Sequence, residues 1–183
     1  VSWNWKGLEG QTLSVNVYSR SPKVRLYLNG KLIGEKETGK ENYTATFEVP
    51  YEPGILKAVN SKGKEEFILK TAGEPAAIRL TADRNTKACK NDLSYVKIEL
   101  VDKDGNVVPD TSLPVKIACS GKGTVIASGN AAYDDMKSFR SLTPNTFRGR
   151  AIAIVQPTEE KGEIRVTVSA EGMEDASVLI HAE

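Results

Sequence analysis

The residues able to do chemistry in this sequence are few, and their spacing decides most of them. Two acidic pairs, Asp134-Asp135 and Glu159-Glu160, offer the carboxylates that general acid–base work requires. Neighbours on an extended segment point to opposite faces, so neither pair converges on a substrate atom, and both read as solvated loop charges. Asp102-Lys-Asp104-Gly105-Asn106 opens like a calcium loop. Its glycine stands at the fourth position rather than the sixth and no bidentate Glu follows at the twelfth, so a hairpin turn accounts for it better. Gly121-Lys-Gly123 lacks the other phosphate-loop residues and the helix that should follow. Cys89 and Cys119 are too far apart for a Cys-x-x-Cys site, and His181, the 1 histidine, cannot complete a zinc set with them. Nor can a Ser–His–Asp arrangement be built on it. Cys119 is in phase with Val115 and Ile117 on a face expected to be buried, which makes it a core thiol; a disulfide to Cys89 is the alternative. No metal and no cofactor is expected.

Trp3 and Trp5 form the most distinctive local feature. On a strand, residues two apart share a face, so the indoles would lie side by side. Such a pair is either a core filling, an anchor to a neighbouring domain, or a platform on which the apolar face of a sugar stacks.

The elements that must position these residues are strands. Leu13, Val15 and Val17 alternate with polar residues, as do Val24, Leu26 and Leu28, and Asn29-Gly30 then signals a tight hairpin. Tyr43, Ala45, Phe47 and Val49 form a further inward row, Pro50–Gly54 turns the chain, and Ile55–Val59 and Glu66–Leu69 follow. Tyr51, just before a late strand, resembles a tyrosine corner. Ile78, Leu80 and Ala82 begin a second series, with Val96, Ile98 and Leu100, then Val115 and Ile117, Thr124–Ala127, Ala151–Val155, Ile164–Ala170 and Ala176–Ile180. Between the two series, Gly73 and Pro75 supply a free φ, a fixed φ and a missing donor, so a ladder is not expected to run through. The fold class predicted is all-β, two tandem immunoglobulin-like antiparallel sandwiches covering residues 1–72 and 73–183. From Gly129 to Arg148 the alternation lapses. A loop of that length is either functional or an irregular segment packed by its own Tyr133, Met136 and Phe139.

Bulk composition excludes several function classes. With 39% hydrophobic and 27% charged residues both halves can bury a core. The 25 basic and 24 acidic residues leave a formal charge of +1, which gives no electrostatic reason for a nucleic-acid partner. No apolar run is long enough to insert into a membrane, and no leader segment is seen. The chain begins at Val1 with residues that already read as structure, as expected of a piece of a longer polypeptide.

Several ordered runs resemble a known family. Trp3-Asn-Trp5-Lys-Gly-Leu-Glu-Gly10, Val24-x-Leu-x-Leu-Asn-Gly-Lys31 and Val49-Pro-Tyr-Glu-Pro-Gly-x-Leu-Lys-Ala58 are similar to the carboxy-terminal region of bacterial family 2 glycoside hydrolases, the β-galactosidase group. The similarity continues through Thr71-Ala-Gly-Glu-Pro-Ala-x-Ile-x-Leu80, Asp92-Leu-Ser-Tyr-Val96 and Val101-Asp-Lys-Asp-Gly-Asn-x-Val-Pro109. Asp135-Met-x-Ser-Phe139 and Phe147-Arg-Gly-Arg-Ala151 extend it. Ser2 departs from the pattern, standing where the family usually carries His.

The resemblance implies a jelly roll, an immunoglobulin-like domain and a (β/α)₈ barrel ahead of two sandwich modules. It also implies hydrolysis by two glutamates on barrel strands, roughly 5 Å apart. A barrel needs about 250 residues and many helices, so no residue here inherits either catalytic role. The expectation is a non-catalytic accessory region of an exported enzyme, periplasmic or extracellular, that supports the barrel, shapes access to its cleft or mediates oligomer contacts. Partners would be the barrel and other domains of the parent chain, reached through the loop bearing Tyr133, Met136 and Phe139. The alternatives are a carbohydrate-binding module contacting galactose-containing glycans through Trp3 and Trp5, and the immunoglobulin-like repeats of a surface adhesin.

Overall fold

Alternating apolar residues produce strands throughout. The structure, a computed structural model, describes residues 2–183, and its regular elements are thirteen β-strands with no helix among the described residues. The chain divides into two compact units, one ending at Thr71 and the other spanning Ala72–Glu183.

The first unit contains β1 (Thr12–Tyr18), β2 (Lys23–Leu28), β3 (Lys31–Glu37), β4 (Thr44–Pro50), β5 (Ile55–Asn60) and β6 (Glu66–Lys70). β1 pairs with β4, and the second sheet runs β3-β2-β5-β6, all antiparallel. Val24, Leu26 and Leu28 of β2 and Ala45, Phe47 and Val49 of β4 are buried, as period-two alternation requires, and they enclose a core with Trp3, Tyr51 and Leu56. Each such large side chain contributes about 1.5–3 kcal/mol of burial. Asn29 and Gly30 close the β2–β3 hairpin with φ of 50° and 81°, the left-handed pair that a two-residue turn matched to strand twist demands. Asn29 also reaches sideways: its Oδ1 accepts from the Ile55 amide at 2.8 Å and its Nδ2 donates to the Pro53 carbonyl at 3.2 Å. That approach needs a glycine opposite, because a Cβ on Gly54 would sit 1.9 Å from Asn29 Oδ1.

Tyr43 departs from the expected inward row. It precedes β4 with φ of 51° and is 48% exposed, because the turn leading into the strand rotates it away from the phase of Ala45 and Phe47.

The second unit contains β7 (Ala77–Ala82), β8 (Ser94–Val101), β9 (Lys116–Gly121), β10 (Gly123–Gly129), β11 (Arg150–Pro157), β12 (Gly162–Ser169) and β13 (Ala176–Ala182). One sheet runs β10-β11-β8-β7 and the other β13-β12-β9. Between them Val96, Ile98, Leu100, Val155, Ile164, Val166, Val168 and Ile180 are fully buried. Cys119 packs half-buried against this core and burial raises its thiol pKa, while Cys89 is exposed; both are free thiols, so the alternative of a bridge between them is not realised.

Asp102 is the organiser of the turn after β8. Its Oδ1 accepts from the amides of Asp104 (3.0 Å) and Asn106 (2.8 Å), and its Oδ2 accepts from the Gly73 amide at 2.9 Å and from Asn106 Nδ2 at 3.1 Å. Burial opposes its charge, yet the Gly73 and Asn106 donors with the Asp104 amide outweigh it and hold the carboxyl at about 2. A carboxylate so fully engaged by amides is a turn-former rather than a cation ligand.

Candidate functional site

Residues Asn130 to Gly149 connect β10 to β11, and hydrogen bonds fasten this connection along most of its length. Asn130 Nδ2 donates to Asp135 Oδ2 at 2.6 Å and to the Asn145 carbonyl at 3.0 Å, while its Oδ1 accepts from the Ala132 amide at 2.7 Å. Lys137 crosses the loop to the Thr143 carbonyl (3.0 Å) and Asn145 Oδ1 (2.9 Å). The Asp135 carboxylate receives the Lys137 amide first and Asn130 second, and both lower its pKa. The returning half lies along the chain of Leu113–Ile117: Val115 donates to the Pro144 carbonyl (3.0 Å), Ile117 to Leu142 (2.8 Å) and Thr146 to Leu113 (2.7 Å). Ser128 bonds the Phe139 carbonyl through its amide at 2.7 Å and the Ser141 carbonyl through its hydroxyl.

On this fixed backbone Tyr133 is 96% exposed, Met136 93% and Phe139 71%. The loop is therefore not packed by these three side chains, as one of the two expectations had it. Polar side chains and backbone groups hold it instead, and the large apolar groups are left facing water. Phe139 alone leans inward, its ring over Gly129, where a Cβ would lie 2.9 Å from the ring edge.

Trp3 and Trp5 do not share a face. The segment before β1 is not a strand: the Leu8 amide donates to the Trp5 carbonyl at 3.0 Å, turning the chain. Trp3 is 2% exposed, donates its indole N–H to the Glu52 carbonyl at 3.0 Å and meets Tyr51 edge-on at 5.1 Å. Its own carbonyl accepts from the Thr71 hydroxyl at 2.6 Å. Trp5 is 47% exposed, with its amide donated to the Tyr51 hydroxyl at 3.0 Å. The side-by-side sugar platform expected from extended spacing is thus corrected to one core indole and one half-exposed one.

One cluster escaped the sequence reading. Glu99 points to the outer face of its sheet but is only 4% exposed, because the register places Arg79 and Arg150 directly opposite it on both neighbouring strands. Arg79 Nε and Nη2 donate to Oε2 at 3.1 and 2.9 Å, Arg150 Nε donates to Oε1 at 3.2 Å, and Lys97 Nζ stands 3.4 Å from Oε2. Burial works against ionisation, and the Arg79 bond and charge, joined by Lys97 and Arg150, overcome it and keep the pKa below the ordinary value. The outward parity of Arg79, Lys97, Glu99 and Arg150 was readable in the sequence; the pairing register that joins them was not. The acidic pairs behave as solvated loop charges: Asp134 is exposed, Asp135 is held within the loop, and Glu160 pairs with Lys122.

Two antiparallel β-sandwich units define the class: an all-β module. Comparison with known proteins then places the chain in a family. The model of glycoside hydrolase family 2 C-terminal domain 5 matches residues 78–179, and a domain of unknown function, DUF4982, matches residues 10–67. The chain belongs to the first of these families and is a C-terminal region of a family 2 glycoside hydrolase. A glycosyl hydrolase family 2 member from Bacteroides cellulosilyticus superposes with a TM-score of 0.94 at 36% identity, covering 100% of this chain and 24% of that one. A beta-glycosidase from Bacteroides vulgatus gives 0.92 at 26% identity, covering 100% and 24%. Beta-galactosidase BoGH2A of Bacteroides ovatus is 32% identical over 99% of this chain and 22% of its own length. The chain spans about a fifth of the length of the curated relatives it matches.

Proposed function

We propose that the chain is a non-catalytic accessory region of an exported β-galactosidase-like glycoside hydrolase, and that its Asn130–Gly149 loop docks against another domain of the same long polypeptide. The catalytic barrel is the expected partner. The observation that carries this reading is the exposure of Tyr133, Met136 and Phe139 on a loop whose backbone is already fastened. Large apolar groups held in water on a pre-organised frame suit an interaction site, since the backbone needs little further ordering on docking. The relatives support it: in each, the matched stretch is a minor part of a much longer chain.

In this reading the bond-breaking carboxylates belong to the barrel. The purified chain is expected to release no chromophore from an aryl β-galactoside, and turnover by it would overturn the assignment. The docking reading is tested in the full-length parent, where Tyr133→Ser, Met136→Ser and Phe139→Ser together should lower the melting temperature while leaving the isolated chain's unchanged. An unchanged parent would sink it. Export is checked by fractionating cells; a parent confined to the cytoplasm contradicts it.

The half-exposed Trp5 favours a second reading, contact with galactose-containing glycans. Because Trp3 is buried, a fluorescence response to such glycans should come from Trp5 and vanish in Trp5→Ala; a response that survives that change removes Trp5 from the reading.

A further inference from the structure

The outer face of the β10-β11-β8-β7 sheet gathers more positive charge than its structure needs. Arg79, Lys97 and Arg150 surround a single carboxylate, Glu99, leaving a local excess of 3 − 1 = 2 charges, and Arg148 beside them adds another. The whole chain carries only +1. Among the described residues no protein acceptor takes the terminal amino groups of Arg150 or the guanidinium of Arg148, which instead lies 5.5 Å over the ring of Phe147.

The turn that presents Arg148 is built at a cost. Phe147 and Arg150 exchange both backbone hydrogen bonds, at 2.8 and 3.0 Å, with Arg148 at φ of 51° and Gly149 at 70°. Glycine is required at the second position, where a Cβ would lie 2.3 Å from the Val108 carbonyl oxygen. At the first position Asn or Gly would adopt the left-handed conformation freely, whereas Arg costs about 1 kcal/mol. Backbone strain accepted for one side chain points to a use for that side chain.

Lys97, Asn130, Phe147, Arg148, Arg150 and Ile152 line one open groove of about 410 Å³. That size lies in the range of small-ligand sites, roughly 300–1,000 Å³. A protein interface needs about 800 Å² from each partner, far more than this groove presents, and its apolar surface is bordered by the cations Lys97, Arg148 and Arg150. The lining combines planar guanidinium forks, which match a carboxylate in two-pronged fashion, with the ring of Phe147 and the side chain of Ile152 as apolar floor.

We propose that this groove binds an acidic sugar, the carboxylate of a uronic acid residue lying between Arg148, Arg150 and Lys97 with the apolar face of its ring against Phe147 and Ile152. Asn130, Phe147 and Arg148 belong to the same loop as Tyr133, Met136 and Phe139, but those three do not line the groove, and the proposal does not rest on the docking reading.

The test is titration of the 183-residue chain with tetragalacturonate, followed by backbone amide NMR. Saturable shifts are expected at residues 97, 130 and 147–152, weakening at high ionic strength, with none from a neutral galactose tetramer. Arg148→Asn, which the left-handed turn accepts and which leaves the Glu99 pairs intact, should raise the Kd about tenfold, as loss of one charge-assisted contact predicts. No saturable shift with tetragalacturonate at tens of millimolar overturns the proposal. So does an equal response to tetraglutamate, which would make the site a protein contact, or tighter binding of a sulfated galactose oligomer.

Discussion

Each unit has one long irregular segment bearing large aromatic groups, and the two use them in opposite ways. Ahead of β1, the chain folds inward: Trp3 fills the core, and its polar groups are met by Glu52 and Thr71. Between β10 and β11 the chain is as well fastened, but by Asn130, Lys137 and backbone bonds to the Leu113–Ile117 stretch, and Tyr133, Met136 and Phe139 stay in water. Irregular structure therefore does not by itself say where an aromatic goes. What separates the cases is which groups do the fastening. Where an indole supplies the anchor it is buried; where amides and lysine supply it, the apolar groups are free for another surface.

Four measurements sharpen or break that contrast. Trp3→Ala should have the largest effect, destabilising the first unit by about 3–5 kcal/mol in urea denaturation, because it empties a core site. Trp5→Ala should cost under about 1 kcal/mol; equal losses would show that both indoles serve the core. Acid comes next. Asp102 titrates at about 2 against an ordinary 3.8, so the folded state binds its proton more weakly than the unfolded chain. Its contribution, about 2 kcal/mol at most, is fully present above roughly pH 4 and is lost as the pH falls through about 2. A second unit whose stability in Asp102→Asn matches the parent at pH 6 would refute this. Asn130→Ala should cost about 1 kcal/mol and be local, raising amide exchange at Ala132 and Ser128 while the β8 amides stay protected. Smallest of all, Tyr133→Ser in the isolated chain should change stability by no more than about 0.5 kcal/mol. A larger loss would mean the loop rests on that ring after all.

The strands were legible because their signal is local. Val24-x-Leu26-x-Leu28 followed by Asn29-Gly30 names two strands and the turn between them without reference to anything distant. The same holds for Val96, Ile98 and Leu100 in β8. What could not be read depends on partners far along the chain. Glu99 is buried by Arg79 and Arg150, residues it meets only through antiparallel register. The separation of Trp3 from Trp5 follows from a turn closed onto Tyr51, some 46 residues away. Tyr43 was misplaced because a left-handed residue before β4 breaks the phase on which alternation relies. In the loop, the exposure of Met136 and Phe139 follows from Asn130 reaching across to Asn145, a contact that composition does not announce.

The bonds from Val115 to Pro144 and from Ile117 to Leu142 have a protective side as well. They occupy the outward amide of Ile117 in β9, the border strand of its three-stranded sheet, and that of Val115 just before it. Trimming the loop to a short connection would strip that border and leave a template on which a second copy could zip itself, strand to strand. A shortened variant should therefore reveal itself first by sedimenting as dimers and larger species, before any loss of its own fold.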